Sequence, residues 1–174
     1  LGSGTSGSDF FGGSLACALS SQAGVSRAGG TTFYSMSYTS TTSGIATYWQ
    51  QWYACVNAAN AAIISISALA ENKFPNTKEK SRMIAEARCF RAWVIAHLLW
   101  CFGHFQTDDA YGILYREELS DMVNVHRDRL SVKDSYQKIF DDLDTAIKDL
   151  GDYTTSKRLS RQLAQALKVK LLLN

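Results

Sequence analysis

Apolar residues recur at helical steps in four stretches of this chain, and the period is lost between them. The strongest stretch is Ala85 to Gly103, AEARCFRAWVIAHLLWCFG. Here Met83, Ala87, Phe90, Val94, Leu98 and Cys101 form one stripe, and Trp93, Ala96 and Trp100 form a second on another side. A helix apolar on two sides needs neighbours on two sides. Its apolar run, Ala92 to Phe102 with His97 as the one polar residue, falls short of the roughly 20 residues that cross a bilayer, so a buried central helix is expected rather than a membrane span.

Upstream, Ile45 to about Ala70 carries Trp49, Trp52 or Tyr53, Val56, Asn60, Ile63 or Ile64 and Leu69 along one side of a long helix. Pro75, the chain's single proline, breaks it, and Thr77 is expected to cap the central helix with Glu79 at its positive end. Residues 104 to about 130 show no sustained period and read as a surface crossing loop. Ser131 to Leu150 is amphipathic, with Val132, Tyr136, Ile139, Phe140, Leu143, Ala146, Ile147 and Leu150 inward and Asp141, Asp144, Lys148 and Asp149 outward. Ser131 and Asp134 form an opening cap, and Gly151 stands where a left-handed terminal residue belongs. Ser160 caps a fourth helix with Leu163, Leu167 and Leu171. The expected fold is all-α, with tetratricopeptide-like antiparallel helix pairs, 45–103 and 131–173, stacked on each other.

Residues 1–44 hold nine of the twelve glycines together with many Ser and Thr, and only Asp9 and Arg27 are charged. They are expected to form an irregular Gly/Ser/Thr-rich segment packed on the helices, with 45–174 as the helical domain. Tyr34, Met36 and Tyr38 alternate with serines and suggest a short extended piece with an aromatic face. The pattern stops in mid-repeat at Asn174, so the chain is expected to be an excerpt of a longer one. Ser14-Leu15-Ala16-Cys17 has the residue types of a lipoprotein cleavage site but no basic and apolar segments before it, and is read as coincidence.

Composition narrows the function classes. The net charge of +2 is too small to imply nucleic acid or an anionic membrane surface as a partner. Four cysteines are too few for a disulfide scaffold, and Cys89 and Cys101 on one helix would lie about 18 Å apart, so small buried thiols are expected. His97, Cys101 and His104 share one helical side as a metal site would. Zinc needs a fuller ligand set and Gly103 should end the helix before His104, so they read as packing and helix-end residues, and no metal or cofactor is implied. No nucleophile elbow, phosphate loop or dinucleotide fingerprint occurs, and the aspartates around 141–144 diverge around a helix, so an enzyme is not expected. Arg91, half-buried, reads either as a ligand anchor or, the favoured reading, as the partner of a carboxylate such as Asp142.

Three ordered blocks carry a family resemblance. They are Trp49, Tyr53 and Asn60 followed by Ala85-Glu86-Ala87-Arg88-Cys89-Phe90-Arg91-Ala92-Trp93 and Phe102-Gly103; then Arg129-Leu130-Ser131-Val132, Tyr136, Ile139, Asp142-Leu143-Asp144 and Ala146; then Arg158, Ala164, Leu167 and Leu171. Over about residues 48–173 the chain resembles the SusD/RagB family. His104-Phe105-Gln106 departs from the family's usual Asp-x-Pro, and Lys168-Val169-Lys170 from its closing Ala-Arg-x-Tyr. The resemblance implies a non-catalytic, surface-exposed, lipid-anchored outer-membrane protein that binds an oligo- or polysaccharide and works with a TonB-dependent transporter. The alternative is a helical-repeat scaffold for a peptide or protein without sugar specificity. Sugar binding calls for flat aromatic faces and a polar rim, and Tyr34, Tyr38 and Trp49 with Arg27 are the candidate ligand residues, Tyr48 and Asn57 lying near them in sequence.

Overall fold

The computed structural model describes residues 39, 41, 43–124 and 126–173. The expected segment at 1–44, the extended piece at Tyr34–Tyr38 and the Ser14–Cys17 motif therefore lie outside the described residues, apart from its last few positions. The chain divides into two compact units, Leu1–Tyr53 and Ala54–Asn174. The described residues contain helices and no strand: α1 Ser43–Ala68, a 3-10 turn at Glu71–Lys73, α2 Thr77–Phe102, α3 Val132–Asp149 and α4 Arg161–Leu172. This is the all-α, tetratricopeptide-like architecture that the periodicity predicts.

The helix ends show how side chains replace missing backbone partners. Asn76, rather than Thr77, caps α2; its side-chain oxygen accepts from the Glu79 N–H at 2.9 Å, and Thr77 is the first helical residue. Ser131 caps α3 as expected, accepting from the Asp134 N–H at 3.0 Å. Ser160 caps α4 by accepting from the Leu163 N–H. Gly151 is not the left-handed stop that its position suggests. Leu150 leaves α3 in an extended conformation, φ −73° and ψ 141°. Arg161 supplies the termination instead, its guanidinium donating to the Ile147 and Leu150 carbonyls at 3.1 and 3.0 Å. A cation at the negative end of a helix satisfies both geometry and dipole.

In the second unit α3 packs along α2, and α4 packs on α3. The innermost side of α2 differs from the expected stripe. Ala85, Cys89, Ala92, Ile95, Ala96 and Leu99 are buried together with Val94 and Leu98, whereas Met83, Ala87 and Phe90 are half-buried and Cys101 is exposed. Small residues at 85, 92 and 96 let neighbouring elements approach the helix closely. On α3, Val132, Ile139, Leu143, Ala146 and Leu150 are buried as the period requires. On α4, Ala164 joins Leu167 and Leu171 in the core while Leu163 turns outward.

Residues 104–130 are not merely a surface crossing. Ile113 is fully buried and Tyr115 nearly so, and the strip pairs with itself: Gly112 N–H donates to Leu130 O at 3.0 Å, and Leu130 N–H to Ile113 O at 3.1 Å. Gly112 is required by close approach. A Cβ there would stand 2.5 Å from the Ser131 carbonyl oxygen and 2.7 Å from that of Leu130. This loop therefore delivers core residues onto α3, while residues on either side of them, such as Tyr111 before and Met122 and Val123 after, are exposed.

Candidate functional site

Two clusters in the second unit hold the side chains with chemical potential. The first is buried. Asp142 on α3 receives Arg91 from α2 in a bidentate pair, Nε to Oδ2 at 2.6 Å and Nη2 to Oδ1 at 2.7 Å, and both side chains are 2% exposed. Arg88 donates to Oδ1 at 3.0 Å, and the Tyr115 hydroxyl donates to Oδ2. Arg91 Nη1 reaches Asn60 Oδ1 on α1 at 2.7 Å, and the Asn60 amide nitrogen donates to the carbonyls of Arg116 and Glu118. α2 and the 104–130 strip thus meet on one α3 carboxylate, and α1 joins them through the Asn60–Arg91 bond.

The charges of this cluster are paired mainly within it, with Glu117 at its rim 4.0 Å from Arg91 and the buried Arg88 Nε left without a hydrogen-bond partner among the described residues. Burial opposes the charged guanidinium of Arg91, yet its hydrogen bond to Asp142 and that carboxylate's charge hold its pKa above the usual arginine value. Burial first, then the Asp142 charge, pushes the Tyr115 phenol far above its ordinary range. Burial raises the Cys89 thiol to about 11, leaving it inert rather than nucleophilic. Arg91 pairs with Asp142 as the sequence predicts. What the period could not show are Asn60 and Tyr115, the partners that complete the set.

The second cluster is an open groove of ≈ 470 Å³ beyond the C-terminal end of α2. One wall is the turn Phe105, Gln106, Thr107 and Asp108; the other is α3, presenting Val132, Lys133, Tyr136, Gln137 and Phe140, with Leu171 and Leu172 at the end. The rings of Tyr136 and Phe140, one helical turn apart, lie 6.1 Å apart and within 25° of parallel. The turn is wound round Asp109. Its Oδ2 meets His104 Nδ1 at 2.8 Å and accepts from the Thr107 hydroxyl at 2.8 Å. Its Oδ1 accepts from the Tyr111 N–H, and its carbonyl from the Val132 N–H. The His104 hydrogen bond holds the Asp109 carboxyl below its usual value. The Tyr136 hydroxyl donates to the Phe105 carbonyl at 3.2 Å, tying the turn to α3.

Of the sequence-predicted ligand residues, Tyr34, Tyr38 and Arg27 lie outside the described residues. Trp49 is half-buried on α1, its ring 4.6 Å from that of Tyr53 at an angle of 49°. Tyr48 is 3% exposed and Trp52 4%, so neither ring is offered to solvent. Asn57 accepts from the Ser120 N–H and so helps fix the 104–130 strip. His97 and His104 have separate tasks: His97 Nδ1 meets the Trp93 carbonyl at 2.8 Å within α2, while His104 lies past the helix end at Gly103. Among the described residues no group of three His, Cys, Asp or Glu is placed to hold a metal ion, and no helix is long and apolar enough to cross a membrane.

A family model for SusD-like proteins, described as starch-binding and associating with the outer membrane, matches residues 18–172. A search of curated protein sequences finds no match. Solved structures share the fold. A SusD superfamily protein from Bacteroides thetaiotaomicron VPI-5482 aligns with TM-score 0.65 at 25% identity, over 72% of this chain and 28% of that one. A SusD-like carbohydrate-binding protein from Bacteroides vulgatus ATCC 8482 aligns with TM-score 0.70 at 18% identity, over 83% and 31%. A laminarin-binding SusD-like protein aligns with TM-score 0.59 at 21% identity, over 73% and 26%. The chain thus spans about a quarter to a third of the length of these structures.

Proposed function

This chain belongs to the SusD-like family, and from that membership we propose that it is part of a non-catalytic glycan-binding component of a polysaccharide uptake system at the outer membrane. The observation that carries the reading is the family match over residues 18–172. The structural neighbours whose names speak of carbohydrate or laminarin support it. The buried cluster fits a binding protein's scaffold: its carboxylate is saturated by four donors and its thiol and phenol are held neutral, so it offers neither nucleophile nor general base.

The finer reading is that the protein is lipid-anchored at the cell surface, that its helices face a TonB-dependent transporter, and that Tyr34, Tyr38, Trp49 and Arg27 contact the sugar. The half-buried Trp49 beside Tyr53 supports the aromatic part, because partly exposed rings supply apolar area to the C–H faces of a pyranose. Calorimetric titration of the full-length protein with a panel of α- and β-glucans, mannans and xylans tests the function. Saturable binding to at least one glycan is expected. Binding to none of them, alongside tight binding of a peptide, establishes the helical-repeat scaffold instead.

A further inference from the structure

We draw no further inference here: the strongest candidate, the basin between the first turn of α2 and the last turn of α3 that Lys78, Arg82, Lys148 and Arg161 line, carries nothing, because Asn76, Arg82 and Arg161 are already bonded within the protein and what is left is a helix N-terminus beside surface lysines with no second observation that points to a ligand.

Discussion

The buried Arg91–Asp142 cluster and the groove beyond α2 both bring aromatic and polar side chains against α3, yet they differ in how much of their bonding capacity the protein itself uses. In the cluster Asp142 receives four donors, Arg91 reaches two helices, and Asn60 is bonded through both ends of its amide. In the groove two rings are only half-buried, and Gln106 and Lys133 are exposed beside them. Charge and burial draw the eye to the first, but a buried carboxylate already held by four donors has little left for a ligand. Residues with remaining capacity, ordered by residues without it, are where recognition is to be sought.

Substitutions should therefore separate into those that change stability and those that change binding. The largest effect is expected for Asp142→Ala, which strands the buried Arg91 guanidinium. Breaking a buried pair from one side costs about 3–5 kcal/mol, enough to lower the denaturation midpoint severely. Chemical denaturation of the variant against the parent measures it. Gly112→Ala comes next, at about 1–3 kcal/mol, because a Cβ would press on the carbonyl oxygens of Leu130 and Ser131. It should also loosen the start of α3, visible as faster amide exchange at Val132 and Ser135, whereas an unchanged melt would mean the strip yields easily. Asn76→Ala removes the α2 cap and should cost about 1 kcal/mol, while Thr77→Ala at the neighbouring position should cost less. Equal losses at the two positions in thermal melts would place the cap wrongly.

The smallest effect is a pH dependence. Burial holds the His97 imidazole below its usual value, so the unfolded chain takes up a proton before the folded one does. Stability is then full above the ordinary imidazole pKa and declines as pH falls through it toward the lower folded value. His97→Gln should flatten that part of the melting-temperature profile without altering the groove. A profile identical to the parent's would remove His97 from the account.

Much of this division was legible in the sequence, for reasons that the residues make plain. Arg91 sits amid apolar neighbours, and a charge in such a place needs a partner one helix away, which made Asp142 readable before any contact was seen. The opening caps of α3 and α4 were readable from Ser131 and Ser160. Asn76 was missed because Thr77 beside it has the same capping chemistry, and one residue of register decides between them. Ile113 and Tyr115 were missed because a strip crossing the core once has no period to betray it. The groove was hidden for a related reason. Tyr136 and Phe140 fall on the apolar side of α3 together with Ile139 and Leu143, and spacing alone cannot tell a ring that lines a groove from one sealed in the core. The Gly151 stop was inferred from local sequence, whereas a long-range side chain, Arg161, does that work.

The claim that the conspicuous charges are scaffold and that recognition lies elsewhere is met most directly by Arg91→Met. The substitution keeps the apolar stem and removes the charge, while Arg88 and Tyr115 still hold Asp142. The measurement pairs a thermal melt with titration of a glycan that the unaltered full-length protein binds. A lowered melting temperature with unchanged affinity is the predicted result. Affinity lost at an unchanged melting temperature would make Arg91 a ligand anchor and contradict the account.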